Sequence, residues 1–540
     1  MVDVRARYLL CLAIVGCSND PSSDASTAGN DGDGATANVA TTLGSSSTTT
    51  GSGGSTSTGS YSSTGTSVSV GGATTTGDAT TSDSNATNDS TSGGSGGTAS
   101  TASSTTTNAS GGTGGMTVQG DIVEVLDIAE VWSGHPVDFA LYTQGDRQFA
   151  AFYDADRQMT VVSRTLGTSA WESTSLPTTL GWDSHNHVVL ALDELSQVHV
   201  SGNMHNVPLI YFRTSSPLDI SSFQSQSSMV GSNEQSVTYP EFFTGPDGSL
   251  IFAYRDGGSG NGNHIFNKYD ADASAWSRLL DTPLTDGEGQ YNAYPVGPIQ
   301  GPDGYWHLVW VWRDTPDAST NHDLSYARTS DLVNWESAAG QPLSLPITLG
   351  TSDIADPVPA NGGMINNNTK VGFDTQNRPI IVYHKYDSDG NTQLYNARFE
   401  DGGWVVHQTS SWDYRWDFGG GGTLVFEIEV EPVVLTSDGV LTQRYYHAQY
   451  GGWGAFQLNA DTLAAEADIQ PPLPYPIELD TPESSTPEMV TRWQEDSGQS
   501  PDPGIVYLLR WETLPSNRDE PRDTIPPPTM LRLYGFSTGQ

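Results

Sequence analysis

The chain has 540 residues, 63 of them acidic and 22 basic, giving a formal net charge of −41. A field of that sign repels nucleic acid and anionic lipid surfaces, so neither is expected as an electrostatic partner. The only cysteines are Cys11 and Cys17, which excludes disulfides, thiolate metal sites and cysteine-nucleophile chemistry from everything that follows them.

Arg5 and Arg7 precede an apolar run from Tyr8 to Val15 that ends at Gly16-Cys17. A basic start, an apolar segment too short to span a bilayer and small residues at its end make an export signal. Ile14-Val15-Gly16-Cys17 resembles the bacterial lipobox, whose cysteine is lipidated and becomes the new N-terminus. The Ser/Asn/Asp run that starts at once after Cys17 favours this over an ordinary signal peptide, and several acyl chains give stable anchoring. Residues 1–16 are therefore expected to be a lipoprotein signal peptide, with Cys17 lipidated and the protein held at the outer membrane or cell surface of a bacterium. From Ser18 to Gly120 the composition is Ser, Thr, Gly, Ala and Asn, with one aromatic, Tyr61, and no Lys or Arg. Such a stretch cannot bury enough apolar surface to offset the entropy of ordering. Residues 17–120 are expected to be a disordered tether with a span on the order of 50–60 Å.

Residues 121–540 read as one all-β domain. No sustained 3.6-residue apolar period appears. Short runs of Val, Ile, Leu, Phe, Tyr and Trp recur instead, bounded by Asp-Gly, Gly-Gly and Pro-Asp-Gly turns. Gly248–Tyr254, Gly304–Trp312 and Arg378–His384 are three such runs. The second and third are each followed by a Tyr-Ala or Tyr-Asn-Ala run, Leu324–Arg328 or Leu394–Arg398, which closes on Trp335 or Trp404. Self-similarity of this kind indicates four-stranded blades of a β-propeller; about 420 residues at roughly 50–65 per blade give six to eight, with seven as the central expectation. Arg328-Thr-Ser-Asp-Leu-Val-Asn-Trp335 resembles the Asp-box of BNR repeats, with Val333 where Gly would sit. Its Asp is suited to bonding the turn backbone over a packed Trp, which makes it structural.

Three segments depart from plain strand and turn: Gly181–Val188, His199–Asn206, and Thr238-Tyr-Pro-Glu-Phe through Phe252–Gly262. Four of the eleven histidines (His185, His187, His199 and His205) lie between 185 and 205, among Gly and Asn. No firm metal-ligand spacing appears, so no metal ligands are assigned and no cofactor is expected for catalysis; a structural Ca2+ ion remains open. The pattern Asp183-x-His185-Asn186, Gly202-Asn-Met-His205, Thr238-Tyr239-Pro240 and Tyr254-Arg255-Asp256-Gly257 resembles the BNR-type lyases of uronic-acid polysaccharides, namely the ulvan lyases and rhamnosyl-glucuronate lyases. His185 and His205 stand 20 residues apart, and Tyr239 and Arg255 stand 16 apart. The likeness continues through Asn321–Ala327, Tyr383–Asp387 and Trp412–Phe418. It implies a seven-bladed propeller, with His185, His205, Tyr239 and Arg255 as the active site. Some ulvan lyases carry a structural zinc site that includes cysteine; here that site is absent or rebuilt.

The residue types suit the chemistry independently. β-Elimination at a 4-linked uronide removes the C5 proton, which requires the neighbouring carboxylate to be neutralised. Arg255 can bind that carboxylate bidentately. His185 and Tyr239 are favoured for proton transfer, with His205 assisting carboxylate neutralisation or orientation; which group is base and which acid stays open. Asn186, Arg313, His322, His384, Lys385 and Arg415 are candidates for binding substrate, whereas His187 and His199 are expected to point elsewhere. Trp182, Trp412 and Trp416 could stack on sugars or pack in the core. The expected function is a monomeric polysaccharide lyase acting on a rhamnose/glucuronate, ulvan-like polymer. Competing readings are a glycoside hydrolase of rhamnosidase or sialidase type and a non-catalytic carbohydrate-binding propeller.

Overall fold

The computed structural model describes residues 120–436, 438–470 and 475–538. The expected signal peptide, Cys17 and the linker up to residue 119 lie outside the described residues. Within them the backbone is all-β, broken only by short 3-10 turns. The period-two runs became strands because each buries one or both faces: Trp306–Arg313 is buried throughout, and Arg147–Tyr153 and Pro379–Tyr386 nearly so.

The strands form antiparallel sheets in chain order. Four-stranded sheets are made by residues 140–179, 188–226, 370–408 and 428–469. A larger sheet joins the two strand runs of 237–278 and 292–336 through a single parallel pair, Gly262 with Asn292. The last sheet takes Val490–Glu495, Ile505–Thr513 and Thr529–Ser537 from the C-terminus and Ile122–Val131 from the N-terminus. That final pairing of Ile122–Val131 with Thr529–Ser537 brings the first and last described strands into one sheet. The first strands of successive sheets are neighbours: Val490–Glu495 lies beside Ala140–Gln144, that strand beside Val188–Leu192, and that one beside Val237–Thr244.

The sequence repeats occupy equivalent strands. Leu324–Arg328 and Leu394–Arg398 fall in third strands, while Trp335 and Trp404 fall in fourth strands. At the Asp-box-like turn the Asp331 carboxylate accepts the backbone N–H of Val333 (2.9 Å) and Asn334 (2.7 Å), and buried Trp335 donates to Leu332 O at 3.1 Å. Its role is structural, as its chemistry implied.

In a four-stranded antiparallel sheet, the turn between strands two and three and the connection leaving strand four emerge at the same end. That end carries the 180–187, 203–210, 314–320, 409–427 and 514–528 segments and the tips of the strands ending at Gly258, Arg313 and Tyr386. Every candidate site residue lies on or next to one of them.

Candidate active site

Asp183 is the centre of the arrangement. Its Oδ1 lies 2.5 Å from His185 Nδ1 and its Oδ2 lies 2.5 Å from His205 Nδ1. The two imidazoles stack, with centroids 4.0 Å apart and planes 24° apart. Burial alone would push the Asp183 carboxyl up; the charges and hydrogen bonds of His185 and His205 outweigh it and hold Asp183 well below the usual carboxylate range. Asp183 therefore has no proton to give, and each Nδ1 must be the donor. That fixes both rings in the Nδ1–H tautomer and leaves each Nε2 as the atom that exchanges protons with a ligand. His205 is pushed down to about 4 by burial and by the neighbouring His185, so it is neutral at pH 7. His185 Nε2 is buried with no hydrogen-bond partner in the protein.

Backbone contacts hold the turn that carries Asp183. Ser184 N–H donates to Asp519 Oδ1 (3.0 Å), and the same Asp519 carboxylate accepts Thr423 N–H at 2.8 Å. The ring nitrogens of His187 lie 3.0 Å from His185 O and 3.1 Å from Pro240 O, tying this turn to the strand of Tyr239. His199 is held by Asp193 and Tyr211 inside its own sheet. Neither of these two histidines joins the cluster, in line with the sequence reading.

Tyr239 and Pro240 form a bulge. Pairing of Val237–Thr244 with Leu250–Gly258 shifts register between Thr238 and Glu241, and Tyr239 has φ +55°. A non-glycine residue in the left-handed region is strained, and bulges of this kind re-aim a side chain. Here the ring is turned to 5.8 Å from that of His185. The Tyr239 hydroxyl is buried without a hydrogen-bond partner, and burial pushes its pKa up, so it stays protonated.

Arg255 faces Tyr239 from the paired strand, its Cζ 4.9 Å from that ring and 5.7 Å from the Tyr294 ring. Its donors reach Thr238 Oγ1 (3.1 Å), Gly257 O (3.0 Å) and, at 3.5 Å, the Tyr294 hydroxyl. Its neighbour Asp256 instead accepts from Asn233. No carboxylate among the described residues pairs with Arg255, which is only 4% exposed. A buried guanidinium without an anion is costly unless a ligand supplies one. Gly262 makes the space for it: a Cβ there would sit 2.9 Å from Arg255 Cδ.

The remaining candidates have other surroundings. Asn186 follows His185, with its buried Oδ1 unpartnered. His322 is held between Asp314 (3.0 Å) and Asp323 (2.9 Å), whose charges raise its pKa against burial. Lys385 Nζ pairs with Asp356 at 2.5 Å, and exposed Arg415 lies 3.6 Å over the Tyr386 ring. Arg313 is fully buried and donates to the carbonyls of Thr315, Pro316 and Asp317 and to Asn366. It shapes the 314–321 loop and has no face turned to a ligand. His384 is likewise buried against Trp416, and Trp412 and Trp416 both pack in the core.

Asp183, Asp519 and Tyr294 were not singled out as site residues from the sequence. For Tyr294 a signal existed: Tyr239-Pro240 and Tyr294-Pro295 are the same dipeptide in successive first strands, each facing an Arg-Asp pair, Arg255-Asp256 or Arg313-Asp314. One carboxylate and two imidazoles within 4.8 Å of one another also form a donor set suited to a divalent transition metal.

The class defined by this fold is the all-β, propeller-like protein, and comparison with known proteins places it further. Residues 147–412 match the family described as BNR repeat-containing family member. A short-isoform ulvan lyase of Alteromonas sp. (strain LOR) is 42% identical over 124 residues, covering 21% of this chain and 24% of that protein. A long-isoform ulvan lyase of Pseudoalteromonas sp. (strain PLSV) is 49% identical over 120 residues, 21% of this chain and 12% of that protein. The aligned stretch thus spans a quarter or less of these relatives. The crystal structure of polysaccharide lyase Uly1 has a TM-score of 0.55 at 12% identity, covering 77% of this chain and 99% of that one. A PL25 ulvan lyase, also solved bound to -[GlcA(1-4)Rha3S]-, has a TM-score of 0.50 at 12% identity, over 76% of this chain and 95% of that one. At that identity the two structures speak for the fold alone. Residues 147–412 thus resemble the BNR repeat-containing family, and ulvan lyases are among the proteins to which this chain is similar.

Proposed function

We propose that this protein is a polysaccharide lyase that cleaves a uronic-acid-containing, rhamnose/glucuronate polymer of the ulvan type by β-elimination. The observation that carries the reading is the unneutralised Arg255 beside a phenol and two imidazoles whose Nε2 atoms are set by one carboxylate. Arg255 binds the uronate carboxylate and stabilises the charge that develops as the C5–H bond breaks. His185 Nε2 accepts the C5 proton, the C4=C5 double bond forms and the C4–O4 bond breaks. The Tyr239 hydroxyl donates its proton to the departing O4, and His205, bonded to Asp183 and stacked on His185, helps orient the sugar by accepting from one of its hydroxyls. No water is consumed, and the product carries an unsaturated uronate at its new non-reducing end.

The same reading takes the scaffold as a seven-bladed propeller, closed by pairing its N-terminal strand with the last sheet. The protein works as a monomer without a catalytic cofactor, exported and anchored at the bacterial surface through Cys17. Asn186, His322, Lys385 and Arg415 are the further contacts to the acidic polymer, and Arg313 and His384 act by shaping the loops that carry them.

The test is incubation of the full chain with ulvan and, separately, gum arabic, following both ultraviolet absorbance of unsaturated uronate and new reducing ends. Both signals are expected to rise together. Reducing ends without absorbance mean hydrolysis, and binding with neither means a lectin; each overturns the proposal.

A further inference from the structure

One turn at the active end differs from its counterparts in the side chain it carries at its fourth position. Several strands are joined by four-residue turns in which the N–H of the fourth residue donates to the carbonyl of the first, at 2.9–3.2 Å. The fourth residue has positive φ and is Gly248, Gly304, Gly390, Asn377 or Ser196. In Asp154-Ala-Asp-Arg157 the same position, at φ +65°, is Arg157. Glycine and asparagine take this conformation at lower cost than a long side chain does, and at this turn the strained position carries a guanidinium.

The guanidinium is held in a defined place. Its Cζ lies 4.0 Å from the Trp132 ring and 4.8 Å from the Trp182 ring, and the two indoles meet edge to face at 5.3 Å. Trp132 is buried and Trp182 partly so, which fixes the platform. No hydrogen bond or ion pair to this guanidinium exists among the described residues, although the chain carries 63 acidic side chains. Burial leaves part of it open to solvent. Trp182 directly precedes Asp183, and the Tyr153–Gln158 turn emerges at the same end as His185 and Arg255.

We propose that Arg157, clamped on Trp132 and Trp182, is a subsite for an anionic substituent on a sugar neighbouring the uronate that is cleaved. This rests on the reading of the ligand as an acidic polysaccharide. A planar guanidinium with its edge free binds two oxygens of a carboxylate or a sulfate ester equally well, so either the next uronate or a sulfated sugar supplies the group.

Arg157→Asn tests it, because asparagine suits the turn and preserves the fold. Affinities of the full-length wild type and R157N are measured for ulvan, desulfated ulvan and carboxyl-reduced ulvan. Binding of native ulvan is expected to weaken about tenfold or more in R157N. The loss should vanish on the one polymer that lacks the group Arg157 reads: desulfated if the group is a sulfate, carboxyl-reduced if it is a uronate. R157N should also melt no lower than the wild type, which separates binding from folding. Equal affinity of R157N and wild type for native ulvan, or an equal loss on all three polymers, overturns the subsite. A wild type that binds ulvan through Arg157 yet forms no unsaturated product overturns the lyase reading and leaves the subsite standing.

Discussion

Replacing Asp183 by asparagine removes little volume and tests the core of the site. The carboxylate accepts one Nδ1–H on each oxygen, both at 2.5 Å. An amide has a single acceptor oxygen, so one imidazole keeps its partner and the other meets an N–H. That second ring loses a charge-assisted hydrogen bond worth about 1.5–3 kcal/mol, and its tautomer inverts, leaving Nε2 protonated. Loss of orientation in one ring corresponds to roughly 10–100-fold in rate. Loss of the base tautomer raises this toward the 10⁴-fold cost known for an analogous aspartate-to-asparagine change in a serine protease triad. We therefore expect D183N to lower kcat by about 10²–10⁴-fold, with KM changed less than about threefold. The assay is the initial rate of unsaturated-uronate formation. It is paired with ¹⁵N resonances of histidine side chains, which distinguish Nδ1–H from Nε2–H and would not respond to a merely structural role. A D183N protein that keeps its rate and its tautomers refutes the reasoning.

Other outcomes follow from the same geometry. Tyr239→Phe should lower kcat by about 10²-fold or more while binding changes little, measured as separate kcat and KM; unaltered kcat removes Tyr239 from proton transfer. Arg255→Ala should abolish turnover with the fold intact by circular dichroism, and Arg255→Lys should recover only part of it, because an ammonium cannot grip a carboxylate with two parallel N–H bonds. Glu241, on the same bulge, is pushed up to about 7 by burial. Its protonated form stabilises the fold, fully below the unfolded value of 4.5 and progressively less as pH rises through about 7. Glu241→Gln should then raise Tm at pH 8, by at most about 3 kcal/mol of stability, and leave Tm at pH 4 unchanged. The same Tm gain at both pH values would contradict this sign. Zn2+ should inhibit turnover by occupying Asp183, His185 and His205, reversibly on adding a chelator, and a rate unaffected by Zn2+ would show that the hydrogen-bonded carboxylate resists displacement.

The strands were legible because aromatic runs and Asp-Gly turns carry local information: Trp335 and Trp404 close their repeats in the structure as they do in the sequence. The His185/His205 and Tyr239/Arg255 pairs were legible through their resemblance to the BNR-type lyases and through residue types suited to elimination, and the fold brings all four to one end. Other features depend on distance in the chain. That Asp183 bridges two rings, and that Asp519 and Thr423 brace it across 96 residues and more, is a matter of how sheets close on one another. Arg313 shows the converse limit. It repeats the local pattern of Arg255, but the loop after it folds back and offers its own carbonyls, so the same residue type becomes a loop fastener instead of a ligand contact. Arg157 escaped notice because nothing in Asp154-Ala-Asp-Arg157 marks the arginine until its backbone conformation and its two tryptophans are known.

The central claim is elimination at a uronate held by Arg255. Its most direct test is single-turnover reaction of the full chain with a glucuronate-containing polymer, with the product examined by mass and ultraviolet absorbance. The account predicts fragments whose summed mass equals that of the parent, bearing an unsaturated uronate, with none formed by Arg255→Ala. Fragments that have gained one water per cleavage and absorb no ultraviolet light would contradict it.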